Sequence, residues 1–334
     1  MANIYITEQR SILRKTGDRL LVQKDDQVIL DIQCHKVDAV LIFGNVQFTT
    51  QAVHEILEHD IEMAIFTRRG RLVGQITSPA TKNIALRLAQ FQRYEDPAFR
   101  LQISKTIIGA KIKNCLFVTK AFAYNHPDIF LGDCVSQLEQ HLKEALKATT
   151  PEQLLGIEGT AAKVYYQGFA RMLLGNFTFE GRKKRPPPDP INALLSFTYT
   201  LIFNEISSLL DGMGFDPYLG YYHKPSYGRP SLACDLIEEF RAIAGDRLVL
   251  NLVNKRILTT DDFHKHPTGS GVYLTREGMK KFFKEYEQVM SREFTHPHLK
   301  TKVTFRHCFR LQAEEMARTI KKGTDYSPLV LVKN

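Results

Sequence analysis

A chain of 334 residues with 43% hydrophobic and 24% charged side chains has room for one small and one medium core, so two domains are expected. No stretch approaches the ~18 to 20 apolar residues of a membrane span. The polar start MANIYITEQR also lacks the pattern of a secretory leader, so a cytoplasmic protein with no membrane partner is expected. The net charge of +9 is uneven. Residues 1–80 hold 9 Lys and Arg against 10 Asp and Glu, leaving 36 against 26 beyond them; a basic part beside a neutral one suits a polyanion partner as well as plain solubility.

The first eighty residues carry β-branched runs, NIYITEQ, SILRKTGDRLLVQ, VILDIQC and AVLIFG, with Asp25-Asp26 placed as a hairpin turn. A short helix over Gln51 to Glu58 and a last hairpin, IEMAIFT and RLVGQI around Arg69-Gly70, complete a β-rich module before Ser78-Pro79. Beyond residue 82, apolar residues recur at three- and four-residue spacing through ALRLAQFQRY, SQLEQHLKEAL, GTAAKVYYQGFARMLL and LLSFTYTLIFNEISSLL, the helical period. The spacing predicts an α+β chain: a small β-rich domain over 1–82, then a larger all-α domain over 83–334. GRKKRPPPDP, with Arg182, Lys183, Lys184 and Arg185 in a row, has no apolar period and reads as an exposed loop, serving DNA contact or solubility. Cysteines 34, 115, 134, 234 and 308 form no CxxC pair and are odd in number, which favours reduced, mostly buried thiols.

Three stretches carry candidate chemistry. In a helix beginning at Glu158, that carboxylate projects onto the face of Ala162, Tyr165, Phe169, Met172 and Leu173. A buried carboxylate needs a cation, a metal or a raised pKa, unless it simply occupies a favourable helix N-terminus. The Gly-, Pro- and Tyr-rich loop GFDPYLGYYHKPSYGRP surrounds one histidine, His223. In SLACDLIEEFRAIAG, Leu232, Leu236, Phe240 and Ile243 form an apolar stripe, while Asp235 and Glu238 share the opposite face with Arg241 three residues on; a solvated acidic face is the plain reading.

The Glu of GIEGTAAKVYY, the His of GFDPYLGYYHKP and the DLIEEFR helix after SLAC, behind a β-rich N-terminal domain, together resemble the CRISPR-associated protein one family, the integrase and endonuclease of spacer acquisition. The resemblance implies that Glu158, His223 and Glu238 bind a metal ion and are catalytic, that Asp235 is an acidic residue supporting the site, and that Arg241 faces DNA. Members of that family carry Asp or Glu at the last ligand, so Glu238 fits. The implied reaction is a metal-dependent transesterification in which a DNA 3′-hydroxyl joins the repeat array, with related endonuclease action on branched DNA, a hydrolase acting on ester bonds. The implied partners are a second copy through residues 1–82, the CRISPR-associated protein two bridging two such dimers, and double-stranded DNA.

Two carboxylates and an imidazole suit Mg2+ or Mn2+ with open coordination positions, and such an ion stabilises the charge that develops at phosphorus. His264 with His266 and His296 with His298 prompt a zinc-dependent hydrolase as an alternative, but no third ligand accompanies either pair. A catalytically inactive DNA-binding scaffold is the other alternative, and retention of all three ligands speaks against it. Arg306, Arg310, Arg318, Lys321 and Lys322 read equally as a DNA-backbone surface or a solvated helix face.

Overall fold

The computed structural model describes residues 2–68, 70–77, 83–183, 186–265, 269 and 271–332. Arg69, Ser78-Pro79, the boundary at 82, Lys184, Arg185 and His266 lie outside the described residues. The chain divides into two compact units, Met1–Ala80 and Thr81–Asn334.

In the first unit, β1 (Ala2–Ile6), β2 (Ile12–Thr16), β3 (Arg19–Lys24), β4 (Gln27–Gln33), β5 (Val37–Phe43), β6 (Gln47–Phe48), β7 (Glu62–Phe66) and β8 (Leu72–Ile76) form two four-stranded sheets. One has the order β1-β5-β7-β8, parallel except for β8; the other has the order β4-β3-β2-β6, antiparallel except for β6. β5 is buried at every position but Asp38, as a parallel strand covered on both faces should be. Asp25 and Asp26 both take positive φ, 47° and 61°, the twist a two-residue β3–β4 hairpin requires. α1 (Thr50–Glu58) starts where Thr49 Oγ1 accepts the Ala52 N–H at 3.2 Å.

The second unit is helical, with α2 (Ile84–Tyr94), α3 (Pro97–Asn125), α4 (Gly132–Lys147), α5 (Pro151–Arg171), α6 (Pro190–Met213), α7 (Ser231–Phe240), α8 (Arg247–Asn254), α9 (Arg276–Ser291) and α10 (Phe305–Lys322). Two short hairpins interrupt it, β9 (Phe263–Lys265) with β10 (Val272–Leu274) and β11 (Phe294–Thr295) with β12 (Lys302–Val303). Asp96, Thr150 and Asp189 each cap a helix whose first residue is proline, a start signal that fixes α3, α5 and α6. α3, 29 residues long, packs against α4, α5 and α7, so it is the axis on which the acidic segments converge.

Three expectations change. α5 begins at Pro151 rather than Glu158, which places Glu158 about two turns inside the helix and removes the N-terminal dipole as its explanation. Asp235, Glu238 and Glu239 are not a solvated face: α7 is enclosed by α3 and α6, and all three carboxylates are buried. α6 is in fact long and apolar enough to cross a membrane by length and mean hydropathy, 1.3; 67% of that window is buried within the fold, as befits a core helix. The cysteines are free, with Cys34, Cys115, Cys134 and Cys308 buried.

Candidate metal centre and its cleft

Asp235 organises the site from below. Its Oδ2 accepts the backbone N–H of Tyr221 at 2.6 Å and of Tyr222 at 3.1 Å; its Oδ1 accepts the backbone N–H of His223 at 2.8 Å and meets His223 Nδ1 at 2.7 Å. A carboxylate only accepts, so Nδ1 is the donating nitrogen and Nε2 keeps its lone pair for another partner. The loop approaches α7 so closely that a Cβ on Gly220 would lie 2.6 Å from the Ser231 carbonyl carbon and 2.8 Å from Asp235 Oδ2, which only glycine tolerates.

Glu158 from α5 and Glu238 from α7 meet across Lys111 of α3. Lys111 Nζ donates to Glu158 Oε1 and forms an ion pair with Glu238 Oε2 at 2.7 Å, although Oε2 receives no well-directed hydrogen bond. Arg241 Nε donates to Glu238 Oε1 at 2.9 Å, and its guanidinium lies 4.5 Å from the Tyr199 ring centroid. Burial opposes the charge on Glu238, but Arg241 and Lys111 outweigh it and hold this carboxyl well below the usual range. Burial likewise opposes the charge on Lys111, and Glu238 and Glu158 outweigh it, so the ammonium is held above its ordinary value. The Tyr222 hydroxyl, buried without a hydrogen-bond partner, is pushed up by burial and then by Glu158.

Lys111, Glu158, Tyr222, His223, Glu238 and Arg241 line one cleft of about 1060 Å³. Six cations, Lys111, Lys163, Arg182, Lys224, Arg229 and Arg241, line it against four carboxylates, Glu152, Glu158, Glu180 and Glu238, so it remains positive overall despite its acidic centre. Behind it, Asp246 accepts from Tyr199 and, at 2.9 Å, from Tyr165; burial pushes Asp246 up to about 6 against those two bonds and Arg241. Glu239, adjacent in sequence to Glu238, faces away and accepts from Tyr326 at 2.5 Å, the Leu329 N–H at 2.7 Å and Gln312 at 3.1 Å.

Glu158, His223, Glu238 and Arg241 line the same cleft and Asp235 is bonded to His223, although the ligand atoms of Glu158, His223 and Glu238 do not all lie within 4.8 Å of one another; sequence reasoning missed Lys111. The signal was there: a lysine on the buried stripe of Ile107, Ile108 and Cys115 in α3. Arg182 is no free loop cation, since it donates to Asn192 Oδ1 and Ser196 Oγ at 3.0 Å each; Lys183 is exposed and pairs with Glu180 at 3.2 Å. Arg306 is a structural cation, bound to Glu205 at 2.9 Å and Glu287 at 2.6 Å. His264 is exposed, and His296 is buried with its Nδ1 accepting the N–H of His298 and Leu299 at 3.2 Å each, a turn rather than a zinc pair. Among the described residues, Cys34, Glu55 and His59 are the group of three metal-binding types whose ligand atoms lie within 4.8 Å of one another. There Glu55 already holds Lys15 and, at 3.0 Å, His59.

The donor set of the cleft fits a hard divalent ion. Two carboxylates already enclose a cation, an imidazole is oriented by a carboxylate, and Glu238 Oε2 has no directed hydrogen bond to give up. Residues 4–288 match the family model described as CRISPR associated protein Cas1. The chain belongs to the Cas1 family. It is 32% identical over 335 residues to the CRISPR-associated endonuclease Cas1 1 of Chlorobaculum tepidum, covering 98% of this chain and 97% of that one. It is 34% identical over 323 residues to a CRISPR-associated exonuclease Cas4/endonuclease Cas1 fusion of Geobacter sulfurreducens; the match takes in 94% of this chain but only 57% of that protein. A casposase bound to integration product shares the fold, with a TM-score of 0.86, 20% identity and coverage of 100% and 96%. A Cas6-RT-Cas1–Cas2 complex has a chain with a TM-score of 0.83 and 25% identity, matched over 99% of this chain and 36% of that one.

Proposed function

We propose that this Cas1-family chain is a divalent-metal-dependent DNA endonuclease and integrase that joins a DNA 3′-hydroxyl into a CRISPR repeat array by transesterification. The observation that carries the reading is the convergence of Glu158, Glu238 and an Asp235-oriented His223 in one positive cleft, where the two carboxylates stand only with a cation between them. Glu158, His223 and Glu238 would hold the ion. When bound, Mg2+ or Mn2+ supplies positive charge to the phosphoryl oxygens as the attacking and leaving oxygens exchange. Asp235 fixes the imidazole, Arg241 balances Glu238, and the rim cations, with Lys183 beside them, carry the phosphate backbone.

The relatives named as endonucleases and the neighbour caught with an integration product support both halves of the activity. The Cas1–Cas2 neighbour supports a CRISPR-associated protein two partner, and we infer a homodimer through residues 1–82, working on double-stranded DNA in the cytoplasm. Among the described histidines, the His296–His298 turn gives a zinc hydrolase no support, and an inactive scaffold would not need this arrangement of ligands.

The test is strand transfer and cleavage with Mg2+ or Mn2+ by Glu158→Ala, His223→Ala and Glu238→Ala proteins shown to be folded. Each should lose activity by roughly a hundredfold or more while retaining the DNA affinity that wild type shows without added metal, since that binding rests on other side chains, the cations of the cleft. Full activity in a folded variant removes that residue from the site; full activity in all three refutes the mechanism.

A further inference from the structure

Lys111 leaves the buried stripe of Ile107, Ile108 and Cys115 on α3 to place its ammonium against both Glu158 and Glu238, and only 16% of its side chain is exposed. Two cations cannot share that position: an ammonium and a divalent ion a few ångströms apart in a partly dry cleft repel strongly. Metal entry between these carboxylates therefore requires the ammonium to leave. The flexible four-carbon stem allows it, and the same cleft is where a DNA phosphate would offer the displaced ammonium a new anionic partner.

We propose that Lys111 is an internal catch on the metal site, closing the Glu158–Glu238 pair when no DNA is bound and released to a phosphate when DNA enters, so that DNA and metal bind cooperatively. The proposal rests on the assignment of Glu158 and Glu238 as ligands. It makes Lys111 a positioning residue whose effect is reciprocal: DNA tightens metal binding by the same factor as metal tightens DNA binding. A basic cleft without DNA would then stay poor in metal.

The experiment measures Mn2+ affinity from the magnetic-resonance signal of the free ion, using full-length wild type, Lys111→Met, Lys111→Arg and Glu238→Gln, each with and without a short duplex and corrected for Mn2+ held by the duplex alone. Without DNA, Lys111→Met should bind Mn2+ at least about tenfold more tightly than wild type, with Lys111→Arg close to wild type. DNA should tighten Mn2+ binding to wild type and leave Lys111→Met unchanged. If Lys111→Met is destabilised without metal, its Tm should rise more on adding Mn2+ than that of wild type. Equal or weaker Mn2+ affinity in Lys111→Met, or a Tm gain no larger than that of wild type, overturns the catch. If Glu238→Gln binds Mn2+ as wild type does, the ligand assignment fails instead.

Discussion

Asp235→Asn keeps the size of a side chain that accepts four N–H groups, but replaces one accepting oxygen with an NH2 that donates. Either the loop N–H groups of Tyr221 and Tyr222 or the bonds to His223 lose their acceptor. The imidazole then turns or changes tautomer, and the lone pair on Nε2 is no longer aimed. Activity and metal affinity should fall by roughly 10- to 100-fold, less than for loss of a ligand, with DNA affinity in the absence of metal intact. Unchanged Mn2+ affinity in Asp235→Asn would show that Asp235 does not act through His223. Glu158, His223, Asp235 and Glu238 were singled out through the family resemblance that their short motifs carry; read one by one, the plain alternatives, a helix N-terminus and a solvated acidic face, stayed open. Lys111 was not singled out: the apolar residues at helical spacing around it were a signal, but its two partners lie on other helices, far off in sequence.

α7 shows what periodicity can and cannot give. The stripe of Leu232, Leu236 and Phe240 was read correctly, but period alone ranks faces and does not say that the polar face is wet. Here that face meets α3, α6 and the C-terminal segment, so DLIEEF buries three carboxylates, each with a different solution. Asp235 takes N–H groups, Glu238 takes cations, and Glu239 takes Tyr326, Leu329 and Gln312 without any cation. Burial accordingly pushes Glu239 up to about 8 from an ordinary 4.5, the hydrogen bonds from Tyr326, Leu329 and Gln312 offsetting only part of it. The folded protein thus holds a proton that the unfolded chain releases in this window. The resulting stability is full below about 4.5 and is lost as pH rises through about 8. Asp246 acts with the same sign but is spent by about 6. Between pH 6 and 9 the Tm of wild type should therefore fall, and that of Glu239→Gln should fall less; parallel curves would remove Glu239 as the source.

At the scale of the molecule, the two-unit division and the charge asymmetry were both readable, because composition and period shift near residue 80, whereas the pairing of the strands was not. β4 is an edge strand with Val28 and Ile29 about half exposed, an apolar edge suited to a second copy. Ile29→Glu should turn a dimer into a monomer in sedimentation at micromolar concentration, and a monomeric wild type would sink the dimer itself. On the proposed function, DNA binding belongs to the other unit, which carries the positive excess. Of the loop cations, Arg182 is a poor probe, since removing it would also unfasten Asn192, Ser196 and the Tyr199 ring behind the site. Lys224 and Lys183 are better ones, because their partners Glu152 and Glu180 are exposed carboxylates, worth little in water and readily exchanged for phosphate. Affinity for duplex DNA should fall linearly with salt on logarithmic axes, each phosphate neutralised adding about −0.9 to the slope. Lys224→Ala should make that slope shallower by about 0.9 while leaving turnover on saturating DNA unchanged, if the side chain serves the backbone rather than the reacting phosphate. An unchanged slope would place Lys224 off the DNA path, and an affinity flat in salt would refute the electrostatic reading of the whole basic unit.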